Sequence, residues 1–172
     1  MARYTQLLSI ACLTVLILIT PTSTAETAMG LNEPISLGNS NASFIGETGG
    51  DQSGKTVAGA GDVNGDGYDD LLIGAFLNDD AHINAGQVYL IFGRSSGWTM
   101  DIDLSKANAS FVGEERDDQA GIDAAGVGDV NNDGYDDIVI GAYRNDAGGD
   151  SAGQAYLILG KSSGWSMDTD LS

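Results

Sequence analysis

Sliding this 172-residue sequence against itself by 67 places aligns it without a gap. "NASFIGE" at 41–47 falls on "NASFVGE" at 108–114, and "GQVYLIFGRSSGWTMD" at 86–101 falls on "GQAYLILGKSSGWSMD" at 153–168. Between 35–101 and 102–168, 40 of the 67 positions are identical. No other feature narrows the fold as much. A unit of this length used twice is one supersecondary module, and such modules bury their apolar surface against each other. "TDLS" at 169–172 matches "IDLS" at 102–105, so a third copy begins and stops after four residues. The expected organisation is a leader over 1–25, a linker over 26–34, one repeat over 35–101, a second over 102–168, and the start of a third over 169–172.

Within each copy the pattern is all-β. "KTVAGAGDV" at 55–63, "DDLLIGA" at 69–75 and "QVYLIFG" at 87–93 are short, apolar and partly β-branched, and Gly, Asp and Asn bound them. "SFIGE" at 43–47 is a fourth, weaker strand. The second and third strands are apolar almost without interruption, as expected of strands covered on both faces. "VAGAG" is built of small residues that let strands crowd together. No window carries a sustained helical period with caps. Short strands recurring with turns at this spacing suggest a propeller or a stacked-sheet repeat.

The N-terminus reads as an export signal. Arg3 supplies a positive charge, "LLSIACLTVLILIT" at 7–20 is too short an apolar run to span a bilayer comfortably, and small residues at Ser23 and Ala25 place cleavage after Ala25. The alternative is an uncleaved anchor. The single cysteine, Cys12, lies in that run, so the exported chain has no disulfide and needs another staple, for which a metal is the usual substitute. The 25 acidic and 7 basic side chains leave a net charge of −18. That balance argues against nucleic acid and against an electrostatic grip on anionic lipid. It suits cations, or simply solubility in salty water.

The acid is concentrated in two loops, "GDVNGDGYDDLLIGA" at 61–75 and "GDVNNDGYDDIVIGA" at 128–142. Counting from Asp62, oxygen ligands fall at position 1 (Asp62), position 3 (Asn64) and position 5 (Asp66); Gly67 makes the turn, and Tyr68 offers its carbonyl. This is the first half of an EF-hand loop. Asp62, Asp66 and Asp70 crowded together repel without a cation, and calcium suits the flexible oxygen-rich geometry better than magnesium. The second half departs. Ile73 and Ile140 stand at position 12, where an EF-hand needs Glu, and the acid arrives early as Asp70 and Asp137. The second loop repeats the set as Asp129, Asn131, Asp133, Tyr135 and Asp137. Asp69 and Asp136 are expected to point outward and to add field but no bond. The plainer alternative is an Asn-Gly or Asp-Gly turn with solvated acids. Dockerin modules share the opening, but they are helical and carry an acid at position 12.

These residues resemble FG-GAP repeats, the blades of the seven-bladed β-propeller of integrin α-subunits and their prokaryotic relatives. The resemblance covers about 35–172. It departs at "FG", which appears as Ser53-Gly54 and Ala120-Gly121, and at the "P" of "GAP", replaced by Phe76 and Tyr143. It implies blades of four antiparallel strands. It also implies two calcium ions in a structural role, held by Asp62, Asn64, Asp66, the Tyr68 carbonyl and Asp70, and by Asp129, Asn131, Asp133, the Tyr135 carbonyl and Asp137. If each blade takes its outer strand from the next repeat, 110–114 completes the first blade, the second lacks an outer strand, and 43–47 is an outer strand without a blade. Two blades make no ring. The chain is then expected to be a fragment or truncated frame of a longer repeat protein, or to assemble with other copies through exposed blade faces.

The remaining residues carry less. His82, the only histidine, reads as a solvated loop residue. No catalytic constellation can be assembled. Trp98 and Trp165 in the recurring "SSGW" suit packing over a blade end better than sugar stacking. Asn41 and Asn108 each open an "NAS" glycosylation acceptor. The expectation is a secreted or cell-surface, non-enzymatic, calcium-binding propeller segment for adhesion or for binding an extracellular protein or glycan. The rivals are an accessory region of a larger extracellular hydrolase or lyase, and a purely structural envelope repeat.

Overall fold

The computed structural model describes residues 36–172, so the expected leader and linker lie outside the described residues. Ten strands follow in order: β1 Phe44–Ile45, β2 Thr56–Gly61, β3 Asp70–Ala75, β4 Gln87–Ile91, β5 Ile102–Asp103, β6 Ala109–Val112, β7 Asp123–Gly128, β8 Asp137–Ala142, β9 Gln154–Ile158 and β10 Thr169–Asp170. Two 3₁₀ turns, Leu37–Asn39 and Leu104–Lys106, are the only helical segments among the described residues. The shortness of the strands follows from Gly, Asp and Asn punctuating every apolar run.

The first sheet has the order β10-β6-β4-β3-β2. Its inner four strands are antiparallel, and its outer member β6 comes from the second repeat. Gln87 faces Val112 and Leu90 faces Ala109 across that junction. This is the first blade, closed as the repeat register predicts. The second sheet is β7-β8-β9, with no outer strand among the described residues. β1 is not part of either blade; it pairs in parallel with β5. The four residues of the third copy are ordered too, because β10 runs parallel to β6. Both blades are therefore β-propeller blades, and the chain is all-β.

Each inner strand carries the same irregularity. The register of β2 on β3 shifts between Gly59 and Gly61, and that of β7 on β8 between Gly126 and Gly128. One extra residue there bends the strand and aims the acidic loop at the rim.

The two blades share one apolar core. Leu72, Val88, Leu90 and Phe111 of the first blade meet Ile138, Ile140 and Tyr156 of the second. Fully burying each such side chain contributes about 1.5–3 kcal/mol. The inner strands come closest. A Cβ on Gly126 would lie 2.6 Å from the Ala60 carbonyl oxygen, so no other residue fits without displacing backbone. A second cluster, Ile73, Ala75, Tyr89, Ile91 and Leu104, lies on the other side of the first blade, with Phe44 and Trp98 packed against it. Continuous burial holds for β4, whose five residues are all buried, but not for β9, where Ala155 and Leu157 are exposed. β6 and the second blade cover β4; nothing among the described residues covers the corresponding sides of β9.

Candidate metal centre

The loops that join β2 to β3 and β7 to β8 fold alike. In the first, Asp62 Oδ1 accepts from the backbone N–H groups of Gly65 (2.8 Å) and Asp66 (3.0 Å), and Oδ2 accepts from Gly67 (2.9 Å). Asn64 Oδ1 accepts from the Asp66 N–H, while its Nδ2 donates to Asp66 Oδ2. Asp66 Oδ1 takes the Tyr68 N–H at 3.0 Å. In the second loop Asp129 accepts from Asp133 and Gly134, Asn131 from Asp133, and Asp133 from Tyr135. Asx side chains at alternate positions bond backbone two or more residues on, which is the local reason this sequence turns so tightly.

The fourth acid plays a different part. Asp70 is fully buried at the start of β3. Its Oδ2 accepts from the Val63 N–H at 3.0 Å and its Oδ1 from the Gly93 N–H at 2.7 Å. Asp137 does the same with Val130 and Gly160. Each carboxylate thus ties its loop to the end of the neighbouring strand, 23 residues away in sequence. Burial first, and then the nearby charges of Asp66 and Asp62, push the Asp70 carboxyl up to about 6. The two amide donors act in the opposite direction and do not offset them.

The structure brings Asp62, Asn64 and Asp66 into one hydrogen-bonded ring, with Asp70 at its base; Asp129, Asn131, Asp133 and Asp137 repeat the arrangement. Tyr68 and Tyr135 enter through backbone N–H groups that bond Asp66 and Asp133. The carboxylates face backbone amides, and among the described residues no group of three or more His, Cys, Asp or Glu is gathered as a metal centre. The donor set, carboxylate and amide oxygens with no nitrogen or sulfur, nonetheless fits a hard cation.

Three features escaped the sequence. Asp136, expected to make no bond, reaches across the blade boundary: its Oδ2 accepts from the Asp62 N–H at 2.9 Å, and its own N–H donates to the Asp62 carbonyl. A Cβ on Gly61 would collide with that carboxylate. The second feature is a buried polar cluster at the far end of each blade. Asn78 Nδ2 lies within hydrogen-bond reach of Asp51 and the Tyr89 hydroxyl, and Asn145 Nδ2 bonds Asp118 at 2.9 Å and the Tyr156 hydroxyl at 3.2 Å. Burial, and then acidic neighbours, hold both phenols well above their ordinary range, so they stay protonated donors. Retention of Asp51, Asn78 and Tyr89 in the second copy was the available signal. The third is the Asn108 amide oxygen, which accepts from the Phe92 N–H and so helps tie β6 to the end of β4.

Other expected sites separate cleanly. Trp98 stands edge-on to Phe44, and Trp165 edge-on to Phe92 and Phe111. Their Nε1 groups donate to the carbonyls of Arg94 and Lys161, which fold over the rings. Both are packing residues. His82 is exposed in the 76–86 loop. Among the described residues no helix is long and apolar enough to cross a membrane.

Comparison with known proteins bears on the same elements. The FG-GAP repeat family matches residues 53–91 and 122–158, each span running from just before the inner strand through the acidic loop to the third strand. Integrin alpha-8 of Gallus gallus is 35% identical over 130 residues, covering 73% of this chain and 12% of that protein. Integrin alpha-4 of Xenopus laevis is 30% identical over 105 residues, 61% of this chain and 9% of its own length. Integrin alpha pat-2 of Caenorhabditis elegans is 32% identical over 109 residues, 63% of this chain and 8% of its own. The chain spans about a tenth of the length of these relatives. The chain belongs to the FG-GAP repeat family, and its two blades are of the integrin-alpha-like kind.

Proposed function

We propose that this chain is an exported, calcium-binding, integrin-alpha-like propeller segment that serves adhesion through an extracellular protein or glycan ligand and carries no catalysis of its own. The calcium ions are structural. Asp62, Asn64, Asp66, the Tyr68 carbonyl and Asp70 would hold one; Asp129, Asn131, Asp133, the Tyr135 carbonyl and Asp137 would hold the other. The bound ion would supply positive charge that neutralises the acids and pins the β2–β3 or β7–β8 loop. In this reading the repeats run 35–101 and 102–168, with the leader removed after Ala25.

One observation carries the reading. Asp70 is a buried carboxylate with only amide donors around it, and Asp62 and Asp66 raise its proton affinity from the side of the loop. A site that binds a proton that well, built only from oxygen donors, is one where a hard cation can take the proton's place. Calorimetry should find two calcium sites per chain, and melting temperature should rise with calcium over chelator. Calcium at 100 times its dissociation constant stabilises a site by roughly 2.7 kcal/mol. Superimposable melts with no heat of binding would reject the metal assignment.

A further inference from the structure

We propose, resting on the reading of the β2–β3 loop as a calcium site, that this site is completed from the second blade. Asp136 is a positioning residue for the first loop, and the peptide joining Gly160 to Lys161 is a second brace on it. The ion then binds a frame that two repeats build together across the seam between the blades. Its affinity depends on a side chain 74 residues away from Asp62 in sequence.

Asp62 is the residue that most needs holding. Its carboxylate gathers the backbone N–H groups of Gly65, Asp66 and Gly67, so the turn follows wherever its main chain sits. One residue grips that main chain on both sides. Asp136 Oδ2 accepts the Asp62 N–H at 2.9 Å, and the Asp136 N–H donates to the Asp62 carbonyl at 3.2 Å. Two bonds from one residue fix direction as well as position. The second brace reaches the fourth acid. The Val63 N–H donates to Asp70 Oδ2 at 3.0 Å, and the Val63 carbonyl accepts from the Lys161 N–H at 2.9 Å. Next to Lys161, the Gly160 N–H donates to Asp137 Oδ1 at 2.7 Å. Backbone groups alone thus join the buried acids of the two loops, Asp137 to Asp70. A Cβ on Gly160 would strike the Asp136 carbonyl and come 3.0 Å from the Val63 carbonyl oxygen, so only glycine permits this approach.

These contacts suit a metal frame better than plain packing. None of them uses a side-chain oxygen of Asp62, Asn64, Asp66 or Asp70. They fix the backbone of the ligand residues and leave the oxygens to the ion. The Tyr135 ring closes over the same turn, since a Cβ on Gly65 would come 2.6 Å from it. A loop fixed before the ion arrives has less to order on binding, which raises affinity. Groups that orient ligands without touching the metal typically change affinity about 10–100-fold when removed. Asp136 is such a group, and it stands between Tyr135 and Asp137 of the second loop. Its side chain serves the first loop while its two sequence neighbours belong to the second.

Calorimetric titration of the full chain with calcium tests this in two backgrounds. Asp133→Ala leaves only the first site to titrate, and Asp66→Ala only the second. On Asp133→Ala, adding Asp136→Ala should weaken calcium binding about 10-fold or more. Asp136→Asn, which keeps an oxygen acceptor for the Asp62 N–H, should restore most of that loss. On Asp66→Ala, adding Asp136→Ala should leave the affinity unchanged. The same selective loss should appear at one of the two sites when Asp136→Ala is made in the parent chain. A purely structural role would not split the two sites in this way. Equal losses at both sites overturn the proposal, as does an Asn variant that binds no better than the Ala variant. Two sites in the parent chain with neither weakened by Asp136→Ala overturn it alone. A parent chain that takes up no calcium overturns the calcium reading, and the proposal with it.

Discussion

The two blades differ in their surroundings far more than in their residues. "QVYLI" and "QAYLI" form the same third strand, yet the first is buried along its length and the second is half open. Val63 is buried under the second blade, and Val130, the same residue of the other loop, is exposed. In a repeat fold a strand's burial belongs to its neighbours as much as to its own sequence. The same contrast appears inside the motif. Gly65 packs under the Tyr135 ring, whereas the second loop carries Asn132 at the same place, exposed and with φ 61°.

The contrast can be broken first in the core. Leu90→Ala should cost about 2–5 kcal/mol in denaturant unfolding. Leu157→Ala should cost only about 0.5 kcal/mol or less, since Leu157 is half exposed. Equal losses would mean that the second blade is covered after all.

Next comes the metal. Asp66→Ala and Asp133→Ala should each remove about half of the calcium-dependent rise in melting temperature, since each of the two sites supplies roughly 2.7 kcal/mol at 100-fold saturation. A single substitution that abolishes the whole response would show that the loops are coupled across the Asp136–Asp62 contact.

The pH dependence separates metal from proton. The folded-state value of Asp70, about 6, lies above its ordinary 3.8. Its contribution is therefore present in full below 3.8 and lost as pH rises through about 6. In chelator, melting temperature should fall as pH rises from about 3.8 to about 6, and Asp70→Asn should flatten the fall. Glu47 and Asp51, also raised chiefly by burial, add in the same direction.

Smaller effects sharpen the comparison at the seam. Asp136→Ala leaves the Asp62 N–H without its carboxylate acceptor and should cost about 1–2 kcal/mol. Asp69→Ala, at the exposed counterpart, should change stability by less than about 0.5 kcal/mol. Guanidinium titrations of the pair check both.

Much of this was legible early, and for a physical reason. Strand positions, the bulge-and-loop punctuation and the oxygen-rich turn chemistry are encoded within a few residues, as Asp62, Asn64 and Asp66 illustrate: each bonds backbone two to five residues on. The exchange of the outer strand could be read because 108–114 repeats 41–47. What distance hides from a sequence is direction. Asp69 and Asp136 are the same residue in the same motif, and only the second has a loop to bond.

Periodicity and turn chemistry are local, so the residues alone specify the repeat, the all-β class and the composition of the two acidic loops. Tertiary structure alone decided which copy of each apolar residue is buried, that Asp70 reaches Gly93, that Asp136 holds the other loop, and that β10 lies on β6. Those outcomes depend on what stands beside each blade, and identical residues receive different neighbours at the two places.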